Sequence, residues 1–282
     1  MEMWFIFAVL SALSAGLYSF SLKASAHYKH HASQVTMYAM LSASVLSGVY
    51  AILQDHRPTI IILIILLAFI NVSAYSAYSI SRIEGLKNID STILFPIIKI
   101  SSSILIIPIS FGLFGDYFTF TQFIGICIGL TTPILLITKK EQLLQKNLKK
   151  GLILVAIAVA SAIVVTVATK TINFWELDFS LYMFFVFSFG VLMNAVSFKK
   201  TKHKEHSKLH VEWVGLLGGV FMFLNLFFYL QALSGSLTVV FVINSFSTVF
   251  AVILAVLMFK ERFDIKKGLA LIVTVISLVL LK

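Results

Sequence analysis

Apolar stretches long enough to cross a membrane recur through almost the whole chain, and this limits the folds open to it. A hydrocarbon core about 30 Å thick needs roughly 20 apolar residues of α-helix, because backbone groups left unpaired in it are costly. Ten runs approach or meet that length: 4–22, 34–53, 59–81, 91–114 and 120–138, then 151–169, 179–198, 211–233, 236–259 and 265–281. The expected fold is all-α, membrane-embedded, with ten transmembrane helices. Composition agrees: 59% of residues are hydrophobic and 12% charged, with a mean hydropathy of +0.99, whereas soluble domains carry about 45–50% and about 25%. No basic residue precedes the first run, which is also too long for the core of a cleaved signal, so it reads as a retained span.

Charge gives an orientation. The formal charge of +10 comes from basic residues in short connections, not from one continuous face. Anionic lipid headgroups are the implied partner, and nucleic acid is not. Lys23 and Lys29, Arg82 and Lys87, the lysines of 139–150 and 199–208, and Lys260, Arg262, Lys266 and Lys267 all fall in odd-numbered connections. The other side holds Arg57, Lys170 and Lys282. The positive-inside rule then places the odd connections in the cytoplasm and both termini outside a plasma (inner) membrane. Trp4, Trp175 and Trp213 fall near the ends of runs, where an indole keeps its N–H wet. Cys127, the single cysteine, lies in an apolar run and excludes both an intramolecular disulfide and a thiolate metal site.

The chain also repeats itself. An offset of 147 carries Ser14, Ser19 and Lys23 onto Ser161, Thr166 and Lys170. An offset of 145 carries Ser91, Ser102, Ser103, Asp116 and Phe118 onto Ser236, Ser247, Thr248, Glu261 and Phe263. Two five-helix repeats explain this, residues 1–138 and 151–282, joined by a cytoplasmic linker 139–150. Because five is odd, the second copy enters the membrane from the opposite side. Inverted repeats are a transporter architecture.

Two short turns carry a family likeness. Gly115-Asp116-Tyr117-Phe118 and Lys260-Glu261-Arg262-Phe263 each close a fourth span and precede one last apolar helix. In this the chain resembles the drug/metabolite transporter superfamily, in its ten-helix EamA-like branch, whose halves tend to close with Gly-Glu-Arg and a hydrophobic residue. Asp116 and Tyr117 replace the usual Glu-Arg pair, and Lys260 stands where glycine is common. Lys23 and Lys170 match a lysine that such proteins often carry at the end of each half's first helix. The resemblance implies a carrier that moves amino acids, other metabolites or drugs through a central cavity by alternating access. Four-helix relatives that export cationic drugs carry a glutamate in mid-helix where this chain has Ala15 or its neighbours, so their proton-coupled mechanism is not implied.

Lys99 is the sharpest candidate, about eight residues and about 12 Å into the fourth run. A lysine at that depth costs roughly 2.5–3.5 kcal/mol on insertion scales, so it faces a cavity, a partner or, by snorkelling, the interface. Its repeat mate is Asn244. The pair is read as substrate-binding or coupling residues, with an anionic or zwitterionic small-molecule substrate, or a coupling ion exchanged at Lys99, as the partner. Asn71 and Tyr75, and likewise Asn225 and Tyr229, share an i, i+4 spacing that puts each pair on one helix face. They are further binding candidates, with interhelical hydrogen bonding the alternative. Asn194, alone in the seventh run, is read the same way. Gly125 and Gly129, and Gly215, Gly218 and Gly219, mark close helix packing. Pro96 frees the carbonyl of Thr92, towards the cavity or merely at a kink. The polar run 79–90 reads as a solvated loop in preference to an extension of the third helix.

His27, His30 and His31, and His203, His206 and His210, form two clusters in lysine-rich connections with few acidic partners. They read as solvated loops, with no metal site. No nucleotide-binding loop occurs and no cofactor is implied. A membrane enzyme would need paired carboxylates, a His–acid pair or a His cluster at membrane depth, and none lies in a run, so no catalytic residue is expected. A scaffold or sensor would carry a soluble output domain or long tail, which the chain does not show. A secondary transporter is the expected function.

Overall fold

A computed structural model of the protein describes residues 3–54, 60–89, 91–135, 148–199, 211–259 and 265–282. Eleven helices are found among them: α1 (Met3–His27), α2 (Ala32–Leu53), α3 (Ile61–Leu86), α4 (Ser91–Phe114), α5 (Phe120–Leu135), α6 (Leu148–Phe174), α7 (Phe179–Lys199), α8 (Val211–Ala232), α9 (Leu237–Ser245), α10 (Ser247–Phe259) and α11 (Ile265–Leu281). Seven of them, α1–α4 and α6–α8, contain segments long and apolar enough to cross a membrane, and shorter apolar helices account for the rest. Leu66, Phe69, Ile104, Phe111, Leu192, Leu217, Ile272, Val275 and Val279 are exposed, whereas Ser11, Ser19, Ser76, Ser102, Thr132, Asn194 and Ser277 are buried. Apolar residues outside and hydroxyls inside are the arrangement of a protein whose surrounding solvent is lipid, where interhelical packing and hydrogen bonding replace hydrophobic burial as the glue. The molecule is a multi-pass membrane protein.

Local chemistry fixes several helix ends. Thr119 and Gln122 exchange bonds, backbone N–H to side chain, at 3.2 and 3.0 Å, a capping box that starts α5. Asp178 accepts the N–H groups of Ser180 and Leu181 at 2.9 and 3.2 Å and opens α7. Gly115, at φ +62°, ends α4 in the left-handed conformation that costs glycine least.

Packing runs mainly between the first and second parts of the chain. α1 lies along α8, α6 along α3, α2 against α7 and α8, and α5 against α11; α4 touches α6 while α9 and α10 touch α1. Where α8 meets α2 and α1 the glycines let backbones close up, with Gly215 against Tyr38, Gly218 against Ser21 and Gly219 against Ala39 and Ser42. Gly125 and Gly129 do the same for α5 against α11, and Ser277 donates to the Gly125 carbonyl at 2.7 Å.

Three sequence expectations change. The run 79–90 is not a loop as far as Leu86: α3 continues through it, because the buried side of this turn is satisfied by Tyr18 and Ser19 of α1, which Ser79 and Arg82 meet at 3.1 and 2.7 Å. Arg82 is therefore buried and contributes no headgroup charge to the orientation count. The run 236–259 tightens by one turn at Phe246, where the backbone stays right-handed helical (φ −67°, ψ −10°) and the hydroxyls of Ser245 and Thr248 take up the carbonyls of Val242 and Ser245 at 2.6 and 2.5 Å. His30 is buried, stacked 6.0 Å from Tyr28, so the connection between α1 and α2 is not wholly solvated. The second histidine cluster lies outside the described residues; among those described, no three His, Cys, Asp or Glu side chains are placed to share a metal.

Candidate functional site

Where α1, α3, α4, α6, α8, α9 and α10 converge they enclose a cavity of about 80 Å³. By this measure a water needs on the order of 10–15 Å³, so the space holds several waters. Its wall is built from matching positions. Ala15 and Ser19 of α1 face Ala162 and Thr166 of α6; Tyr78 and Arg82 of α3 answer to Asn225 and Tyr229 of α8; Lys99 and Ser102 of α4 answer to Asn244 of α9 and Ser247 of α10. The first four pairs are 147 residues apart and the last two 145, the offsets of the sequence repeat.

The matched positions differ in chemistry. One copy supplies Arg82 and Lys99; the other supplies Tyr229 and Asn244 in their places. Lys99 Nζ donates to Asn244 Oδ1 at 2.9 Å and lies 5.5 Å from the centre of the Phe241 ring. Asn244 Nδ2 donates to Ser11 at 2.9 Å and to Asn225 Oδ1 at 3.2 Å, and Ser11 donates to Asn225 Oδ1 at 2.9 Å. Asn244 and Ser247, three residues apart, share one face of the helical turn around Phe246, as Lys99 and Ser102 do in α4, so both reach the cavity. Arg82 donates to Ser19 at 2.7 Å, with its guanidinium 4.9 Å from the Tyr78 ring and 4.7 Å from the Phe95 ring. Aromatic faces stabilise a buried cation without neutralising it. Tyr18, Tyr75 and Tyr78 continue the aromatic wall, with ring centres 6.4 and 6.1 Å apart.

A sequence model of the EamA-like transporter family matches this chain twice, over residues 2–138 and 149–282. The chain belongs to the EamA-like transporter family. It is accordingly a membrane transporter of small solutes. A solved structure described only as "Crystal structure of protein" is similar with a TM-score of 0.69 and 13% identity, over 97% of this chain and 95% of that one. At that identity the likeness shows the fold alone. No curated protein matches.

Of the residues picked from the sequence, this EamA-like transporter brings Lys99, Asn244, Asn225, Tyr229 and Tyr75 to one cavity. Asn71 is not among them. It is buried against α6, donating to Thr169 at 3.0 Å and to the Val165 carbonyl at 3.2 Å. Asn194 likewise holds α7 to α3 through Ser76 at 2.8 Å. Arg82 was missed as a site residue because a charge that ends a hydropathy run looks like a loop residue. The signal was present: Asn71, Tyr75, Tyr78 and Arg82 recur at helical spacing along one face of α3.

Lys170, placed by the sequence on the outer side, is buried within α6. It donates to the carbonyls of Leu233 and Gly235 at 3.0 and 3.2 Å and lies 3.7 Å from Asp116. Asp116 in turn accepts from Ser110 at 2.6 Å and from the backbone N–H of Leu237, the first residue of α9. The acidic turn after α4 thus anchors a helix of the other copy, with a carboxylate at the positive end of that helix.

Proposed function

We propose that this protein is a secondary transporter moving a small organic solute, an amino acid, other metabolite or drug, through the central cavity by alternating access. The two units are residues 1–138 and 151–282, inverted five-helix repeats, with the 139–150 linker cytoplasmic and both termini outside the plasma membrane. The observation that carries it is that equivalent positions of the two copies line one cavity. The exchange of partners supports a two-fold relation between the copies: α1 packs on α8 as α6 packs on α3, and α2 on α7 and α5 on α11 as copies facing each other. A lysine facing a cavity between membrane-spanning helices is a feature of a binding site within the membrane. Lys99, Asn244, Asn225, Tyr229 and Tyr75 are the proposed substrate or coupling residues; Asn71 supports the wall from behind.

The test is uptake by proteoliposomes containing the purified chain, against a panel of amino acids, carboxylates, nucleosides and cationic drugs. Saturable, protein-dependent uptake of at least one class is expected. Uptake no faster than in protein-free vesicles for every class, from a folded and correctly inserted chain, would sink the proposal.

A further inference from the structure

The cavity is lined by two cationic side chains and, among the described residues, by no carboxylate. Arg82 is 4% exposed, and Lys99 faces the same space. Arg82 Nε meets no hydrogen-bond partner, and neither do the buried hydroxyls of Ser102 and Tyr229. The amide oxygens already accept. Asn225 Oδ1 already accepts from Ser11 and Asn244, and Asn244 Oδ1 accepts from Lys99.

A solute ammonium entering this space would meet two cationic side chains and, among the described residues, no carboxylate, with only neutral oxygens to accept from it. A solute carboxylate would meet two cations, the unfilled Arg82 Nε–H and the hydroxyls of Ser102 and Tyr229, which can donate to it. Buried charges need a counter-charge and buried donors need acceptors, so the site as built lacks a negatively charged oxygen pair. Ile98, Leu226 and Phe241 complete the wall and suit an apolar body behind that group.

We propose that the solute is a small organic carboxylate with an apolar body, its carboxylate held between Arg82 and Lys99, and that organic cations and zwitterions are disfavoured. On arrival the carboxylate draws Lys99 away from the neutral oxygen of Asn244, since an ion-paired hydrogen bond is the stronger of the two. This inference rests on the cavity being the transport site.

The test uses the full chain and matched compounds: butyrate, butyramide, butylamine and α-aminobutyrate, with the equivalent benzoate and benzamide pair. Thermal stabilisation of the purified protein and proteoliposome uptake are read for each. Carboxylates are expected to stabilise and to be taken up at least about tenfold more effectively than the amide, amine or zwitterion, the scale set by hydrogen bonds to charged groups. Arg82→Gln should lose that preference, and Arg82→Lys should recover part of it. If Arg82→Gln does not fold, Tyr229→Phe and Lys99→Gln take its place, each expected to weaken carboxylate binding. Preferential stabilisation or uptake of the amine or zwitterion overturns the inference and leaves the transporter reading standing. Carboxylate binding that depends on Arg82, with no uptake of any compound, supports a carboxylate-binding cavity and overturns carboxylate transport. A folded chain that no carboxylate stabilises and that moves none overturns the inference outright.

Discussion

Lys99 and Asn71 are both polar residues in apolar helices, yet their surroundings assign them different work. Asn71 bonds to two groups of α6 and closes a helix contact, whereas Lys99 has a neutral partner and an open cavity beside it. Truncating Asn71 therefore belongs with stability, at about 0.6 kcal/mol for an average interhelical hydrogen bond in a membrane. Lys99 belongs with transport: Lys99→Gln is expected to lower uptake kcat/KM by about tenfold or more, the fold-change expected for loss of a charged partner in the transition state. Lys99→Arg keeps the charge and does not release its proton. Uptake by Lys99→Arg with the parental pH profile identifies a counter-charge, and a changed profile identifies a proton-exchanging group. Should Lys99→Gln fold and transport at the parental rate and pH dependence, the lysine is structural.

At the level of elements, the contact of α8 with α2 shows how narrow the tolerances are. A methyl group added at Gly219 would run into the Ala39 carbonyl and the Ser42 hydroxyl, and the first of these is backbone that cannot rotate away. Gly219→Val should force the two helices apart, at a cost of about 1–3 kcal/mol for overpacking. Size-exclusion profiles of detergent extracts are expected to show less monodisperse protein; a parental yield and melting temperature would mean that α8 packs elsewhere. Ser42 adds to this seam by donating to the Leu216 carbonyl at 2.7 Å. Both repeats carry a cluster of hydroxyl residues, Ser101-Ser102-Ser103 and Ser245-Phe246-Ser247-Thr248, yet α4 stays regular through the first and the second tightens by one turn at Phe246.

For the molecule as a whole, orientation is the property that the basic connections decide. The burial of Arg82 and Lys170 removes both from the set of charges that touch headgroups, and the lysines of 139–150 and 199–208, five in each, remain the strongest inward signals. With Cys127 replaced by serine, a cysteine at Gln145 should react with an impermeant thiol reagent only after cells are permeabilised, and a cysteine at the exposed Glu176 should react in intact cells. Labelling in the reverse order would invert the proposed topology. The described part of that linker, residues 148–150, already belongs to the first turn of α6.

Hydropathy along the chain determined that it is helical and embedded in lipid, since only spans that satisfy their own backbone survive in hydrocarbon. The two offsets also pointed to Lys99 and Asn244 as equivalents, and the structure places them 2.9 Å apart. Glycine spacing marked the close helix contacts because a missing side chain is a local property. What the sequence did not settle depends on partners distant in the chain. Arg82 resembles a loop residue until Ser19, Tyr78 and Phe95 surround it, and Asn71 resembles a binding residue until Thr169 takes its amide. A polar side chain near a membrane gains its role from the group that satisfies it, and only the packing of α1, α3, α4 and α6 decides which group that is.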